Sequence, residues 1–170
     1  MNDHPFEFRN LKNDYVIDQY NQKVEMLPFF VYGTLRPGHG NHAWALAPRQ
    51  TRSLLGTISG ARMYSNGGFP FVAFDGDDTE TVTGNLIWVP RDQFAATLSD
   101  LDSLEGYQGG DKGLYDRRVV EVAAVNGETI RANMYVVPAH AHSHVVARCP
   151  HVPSGDWEDV RQPFRPGLGF

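Results

Sequence analysis

Only one cysteine, Cys149, occurs in 170 residues, so the chain can form neither an internal disulfide nor a site built from several thiolates. A reducing, cytoplasmic setting is expected from that scarcity. Positive charge is also in short supply. The 15 Lys and Arg against 20 Asp and Glu leave a formal charge of −5, so no overall positive field is available to gather a phosphate backbone, and nucleic acid is not an expected partner. Long apolar runs are missing too. None approaches the ~18 residues of a spanning helix, and in residues 1–26 charges interrupt each run before it reaches the length of a signal-peptide core, so no membrane partner is expected. What remains is 41% hydrophobic and 12% aromatic residues, enough for one core at this length.

Residues 1–27 show no clean periodicity and read as an N-terminal extension lying over a domain at 28–162, with 163–170 as a Pro/Gly-rich tail. The run LPFFVY, ended by Gly33, predicts a buried strand. The loop GTLRPGHGN cannot be regular helix, and NHAWALA after it predicts a short one packing Trp44 and Leu46. Residues 53–64, 69–74 and 81–89 read as strands of an antiparallel meander. Phe94, Leu98, Leu101 and Leu104 share one helical face, with Pro90 suited to the first turn and Gly106 to the stop. Asn126-Gly127, between YDRRVVEVAAV and ETIRANMYVVP, tolerates positive φ at both positions and signals a hairpin. Ser154 is expected to cap a short helix in GDWEDV. About six strands and two or three helices joined by turns give an α+β sheet or small barrel.

Three segments carry candidate chemistry. In Tyr32-Gly33-Thr34-Leu35-Arg36-Pro37-Gly38, glycine lets successive N–H groups face one concavity able to hold carboxylate or phosphate oxygens, with Arg36 adding a charge-assisted contact. An ordinary glycine-rich turn is the alternative. A P-loop is disfavoured, because His39 and Gly40 stand where Lys and Ser/Thr are needed. At the end of the predicted helix, Asp100, Asp102 and Glu105 crowd a terminus whose partial charge is itself negative. That field, neighbouring carboxylates and partial burial would push the Glu105 pKa toward neutrality, where a carboxyl can both accept and donate a proton; a solvated acidic end is the alternative. In AHAHSH, alternate His140, His142 and His144 would share one face of a strand and make a metal site thinkable, although the Ala/Ser/Pro surroundings read as loop and no carboxylate lies among them. Cys149 shows no electropositive surroundings that would mark a thiol nucleophile.

The segments FVYGTLRPG (30–38), LDSLEGY (101–107), LYDRRVVEV (114–122) and SGDW (154–157), in that order, resemble the γ-glutamylcyclotransferase-like superfamily. The resemblance spans roughly residues 28–160. It implies a small mixed β-barrel with flanking helices, and a reaction that converts a γ-glutamyl amide into 5-oxoproline and a free amine without metal or organic cofactor. It places Tyr32, Gly33, Thr34 and Leu35 in the loop that holds the glutamyl α-carboxylate, and Glu105 as the acid/base. Tyr115 and Tyr135 are candidate pocket residues or, equally, barrel-core aromatics. The wording YGTLRPG looks closer to γ-glutamylamine cyclotransferases than to the glutathione-specific branch. The inserted QGGDKG before Leu114 and the His-rich 139–151 stretch depart from the family pattern. Two other readings stay open: a non-catalytic domain of the same fold binding a γ-glutamyl or other carboxylate ligand, and a metal-dependent hydrolase using the 140–151 histidines.

Overall fold

A computed structural model describes residues 14–160. In chain order it holds β1 (Tyr15–Ile17), β2 (Lys23–Glu25), β3 (Phe29–Val31), α1 (Gly40–Ala45), β4 (Arg52–Ser59), β5 (Arg62–Ser65), β6 (Pro70–Ala73), β7 (Thr81–Trp88), α2 (Phe94–Leu104), β8 (Asp116–Ala124), β9 (Thr129–Val136), α3 (His142–Arg148), β10 (His151–Val152) and α4 (Trp157–Val160). Short 3₁₀ turns precede α2 and α3 and follow α1.

Five strands close into a barrel in the order β3-β7-β4-β8-β9. Its pairs are antiparallel except β3 with β9, which run parallel where Phe29 meets Asn133. The barrel is therefore mixed, and with its helices the fold is the α+β class expected. Alternation along each strand divides the apolar residues between two cores. Phe30, Leu86 and Met134 point into the barrel, while their neighbours Phe29, Ile87 and Tyr135 face outward under α2 and the small sheet β10-β5-β6. The run LPFFVY is apolar throughout because β3 is covered on both faces. The outward core is sealed by the α2 face read from the sequence: Phe94, Leu98 and Leu101 are buried, and the Phe94 ring stacks on Phe29 at 5.3 Å.

Five local expectations are corrected. Residues 53–64 are two strands, because the chain bends at Gly60 (φ +79°) and β5 leaves the barrel for the small sheet. The meander is interrupted for the same reason: β4 pairs directly with β7 along its whole length, and β5-β6 stands apart. Trp44 does not pack; it is 62% exposed, while Leu46 is fully buried. In the β8–β9 hairpin Gly127 alone has positive φ, and Asn126 instead accepts the Glu128 amide through Oδ1. The helix in GDWEDV is led by Asp156, whose Oδ1 accepts the Glu158 amide, with Ser154 two residues too early and accepting the Asp156 amide. Of the leader, residues 14–27 form the β1-β2 hairpin and bury Val24 and Leu27; residues 1–13 and the 163–170 tail lie outside the described residues. No described helix is long and apolar enough to cross a membrane.

Candidate active site

Beyond Val31 the chain leaves the barrel through Tyr32 and Gly33. A side chain at position 33 would not fit: its Cβ would stand 2.7 Å from the Pro70 ring. Glycine is thus required by close approach of β6, and the backbone of 33–35 lies open beside it. Two successive turns follow, with the Arg36 amide donating to Gly33 O (3.0 Å) and the His39 amide to Arg36 O (3.1 Å). Among the described residues, nothing accepts a hydrogen bond from the amides of Gly33, Thr34 or Leu35. These three donors border a cavity of about 250 Å³. That is slightly below the roughly 300–1,000 Å³ usual for drug-sized ligands, and suits something nearer an amino acid in size.

The buried tyrosines Tyr32, Tyr115 and Tyr135 form the floor of the cavity. Each hydroxyl already donates to a protein acceptor: Tyr32 to Tyr135 O (2.6 Å), Tyr115 to Pro70 O (2.8 Å) and Tyr135 to Asp102 Oδ1 (2.5 Å). Phe69, Pro70 and the half-exposed Leu114 surround the mouth, with Asn41 beside Thr34, to whose Oγ1 its amide donates. Glu105 is the one acid in this lining, beside Leu104 at the end of α2. Burial raises its pKa from 4.5 to about 7. Tyr32, Tyr115 and Tyr135 are shifted well above 10, first by burial and then by facing charges, the Glu105 carboxylate among them. A carboxyl with a pKa near neutrality, on the same cavity as N–H donors that no described residue engages, can move a proton on a ligand held by those donors.

Of the three causes of the Glu105 shift read in the sequence, one is at work. The acids near it at the end of α2 are paired elsewhere: Asp100 with Arg49, while Asp102 lies 3.2 Å from Arg117 Nε. Burial alone accounts for the shift. Arg36 is also placed differently from the expectation. It is 7% exposed, and its guanidinium turns from the cavity to Asn85 Oδ1 and Asp156 Oδ1, both at 2.8 Å. It braces the loop instead of lining the cavity. Tyr115 and Tyr135 both line the cavity while belonging to the outer core. Local patterns give no sign of a role for Asn41, Phe69, Pro70 or Leu114; Arg117 stands in LYDRRVVEV with no role attached.

Residues 139–148 of the His-rich stretch are a 3₁₀ turn running into helix α3, not strand or loop. Residues two apart on a helix diverge by about 200°, and the histidines part accordingly: His140 Nδ1 lies 3.0 Å from Asp111 Oδ1, and His142 Nε2 2.8 Å from Asp75 Oδ2, which also accepts from Tyr64. Among the described residues no group of three or more His, Cys, Asp or Glu is placed to hold a metal ion. Cys149 is unpaired and half-buried at the end of α3.

Known proteins share this architecture. An uncharacterised protein from Pyrococcus horikoshii superposes with TM-score 0.52 at 22% identity, covering 79% of this chain and 92% of that one. An AIG2-like protein (ggact) from Mus musculus gives 0.53 at 20%, covering 76% and 88%. YkqA from Bacillus subtilis gives 0.56 at 22%, with 78% of this chain matching 40% of that longer protein. At these identities the likeness is one of fold. No curated protein matches the sequence. The family model described as gamma-glutamyl cyclotransferase, AIG2-like matches residues 29–159, a span that contains the open amides of 33–35, the tyrosine floor and Glu105. The chain belongs to that gamma-glutamyl cyclotransferase, AIG2-like family.

Proposed function

We propose that the protein is a γ-glutamylcyclotransferase, releasing 5-oxoproline and a free amine from a γ-glutamyl amide. One observation carries the reading: Glu105, with a pKa near 7, shares a cavity with the amides of Gly33, Thr34 and Leu35, which no described residue engages. The amides hold the α-carboxylate of the glutamyl group. This folds the flexible chain so that its α-nitrogen lies against its own γ-carbonyl carbon, and ring closure starts near its reactive geometry. The Glu105 carboxylate removes a proton from the α-ammonium. The freed nitrogen attacks the γ-carbonyl carbon and forms the ring C–N bond. Protonated Glu105 then delivers the proton to the leaving nitrogen as the original amide C–N bond breaks, and the second proton that the ring nitrogen sheds on becoming an amide passes to the departing amine, which leaves as its ammonium. Carboxylate is regenerated and water is not consumed.

Leu104, Leu114, Phe69 and Pro70 line the cavity, and among the described residues Glu105 is the sole charged side chain in that lining. A leaving group that carries its own carboxylate finds no cation among them, so an amine with an uncharged body fits better than an amino acid or dipeptide. The single unpaired Cys149 is consistent with a reducing, cytoplasmic setting. The test is incubation with a panel of γ-glutamyl-amines and γ-glutamyl dipeptides, following 5-oxoproline by mass spectrometry with Glu105→Gln as control. Release from the amines by the wild type alone is expected. No release across the panel favours a non-catalytic domain that binds a γ-glutamyl or other carboxylate ligand.

A further inference from the structure

The β1-β2 hairpin lies outside the family match, which begins at residue 29. Its strands are largely exposed, with Tyr15 and Ile17 about half open to solvent. Its turn is different. Asp18 Oδ1 accepts the amides of Tyr20 and Gln22, both at 2.8 Å, which shapes the turn and leaves Oδ2 free to accept from Arg117 Nη2 at 2.5 Å. The side chains of Asp18 and Arg117 are 2% and 7% exposed. Arg117 in turn lies 3.2 Å from Asp102 Oδ1, the atom that accepts the Tyr135 hydroxyl from the cavity floor. The same guanidinium sits 4.2 Å over the Tyr107 ring.

The turn reaches the Glu105 stretch by two further bonds. Tyr20 OH donates to Tyr107 O (2.8 Å), and Tyr107 OH donates to Gln22 Oε1 (2.5 Å). The Tyr20 ring also meets Tyr107 edge-on at 5.5 Å and covers Gly109, where a Cβ would come within 2.9 Å of it. Gly109 belongs to QGGDKG, the insertion between Tyr107 and cavity-lining Leu114. The hairpin, which precedes the family match, and the QGGDKG insertion therefore pack on each other beside Tyr107, two residues after Glu105. Buried ion networks add little net stability compared with well-packed apolar residues, but they fix geometry closely.

We propose that Asp18, Tyr20 and Gln22 are positioning residues: the hairpin turn is a strut of the active site, fixing the Glu105–Tyr107 stretch and, through Arg117 and Asp102, the Tyr135 wall of the cavity. This rests on the reading of Glu105 as the proton carrier. The 33–36 loop is held chiefly by its own turns and by the Arg36–Asp156 pair, so the strut acts on the proton transfer more than on ligand binding.

Asp18→Asn keeps an acceptor for the turn amides and removes the charge facing Arg117. Tyr20→Phe keeps the ring and removes the bond to Tyr107 O. Glu25→Gln, which loses an exposed pair with Arg131 on the same hairpin, is the control. Three readouts are taken at a temperature where all variants are folded by circular dichroism: kcat and KM for a γ-glutamyl-amine, the affinity for L-glutamate by calorimetry, and the Glu105 carboxyl titration by ¹³C NMR. For Asp18→Asn and Tyr20→Phe, kcat is expected to fall about tenfold or more, because small misplacement of reacting groups is costly. KM and L-glutamate affinity should stay within about twofold, and the Glu105 titration midpoint should move; the control should match wild type. Lower melting temperatures with unchanged kcat and an unchanged Glu105 titration would overturn the proposal. If the wild type itself turns over no γ-glutamyl-amine, the NMR arm decides alone: a moved midpoint upholds the strut while the cyclotransferase reading fails, and an unmoved one overturns the strut.

Discussion

Arg36 Nη1 lies 2.8 Å from Asp156 Oδ1, joining the loop after β3 to the residue that leads α4, 120 positions later. Beside this pair, His39 Nε2 lies 2.6 Å from Glu158 Oε1. The two contacts clamp the 33–39 turn to the C-terminal helix, so the motifs YGTLRPG and SGDW are halves of one brace. Asp156→Asn weakens a charge-assisted bond to a buried guanidinium, a loss of about 1–3 kcal/mol. The expected outcome is weaker L-glutamate binding and a raised KM with kcat nearly kept, measured by calorimetry and steady-state kinetics. Unchanged KM and affinity would show that the clamp does not set the carboxylate loop.

Glu105 must be ionised to take the first proton. With its pKa at about 7, kcat/KM for a γ-glutamyl-amine should rise with pH through an apparent pKa near that value and be lost below it. A profile flat from pH 5 to 8 would contradict the assignment.

The same shift sets a stability cost. Folding raises the Glu105 pKa from 4.5 to about 7, so between those values the folded chain holds a proton that the unfolded chain has released. Stability attributable to this group is present at low pH, falls as pH rises through the window and is level above it. Glu105→Gln removes the loss. Relative to wild type the variant should be favoured more at pH 8 than at pH 4.5, by up to about 3 kcal/mol, as read from urea unfolding at both values. Parallel pH dependences for the two proteins would show that the carboxyl is not held in a poorly solvated place.

Gly33→Ala puts a methyl 2.7 Å from the Pro70 ring. Overpacking of this kind costs about 1–3 kcal/mol, and here it displaces the open amides. Thermal unfolding should shift downward and L-glutamate affinity should drop at least tenfold. An alanine variant that binds as wild type would place the ligand elsewhere.

Where the sequence was readable, the signal was local. The face Phe94, Leu98, Leu101 packs as its spacing implies, and the hairpin at Asn126-Gly127 forms. Glu105 and residues 32–35 lie on one cavity, and they were named because two motifs, each contiguous in sequence, happen to hold them. Failures follow from what local pattern leaves out. α3 buries only Val145, so it has no apolar stripe to mark it as helix. The break between β4 and β5 turns on one glycine whose role depends on which sheet each strand joins. A cation beside a glycine-rich loop resembles an anion site, yet the partner that Arg36 takes, Asp156, is far away in sequence. The Asp18–Arg117 contact spans 99 positions and leaves no trace in any window of the chain.

Reaction in H₂¹⁸O separates ring closure from ordinary hydrolysis most directly. A γ-glutamyl-amine is incubated with the protein in labelled water and the products are weighed by mass spectrometry. Attack by the substrate's own α-nitrogen, with Glu105 carrying the proton, gives 5-oxoproline free of label and one equivalent of amine, and Glu105→Gln should slow it by about 10²–10⁴-fold. Glutamate bearing ¹⁸O in its γ-carboxylate, or undiminished 5-oxoproline release by Glu105→Gln, would contradict the account.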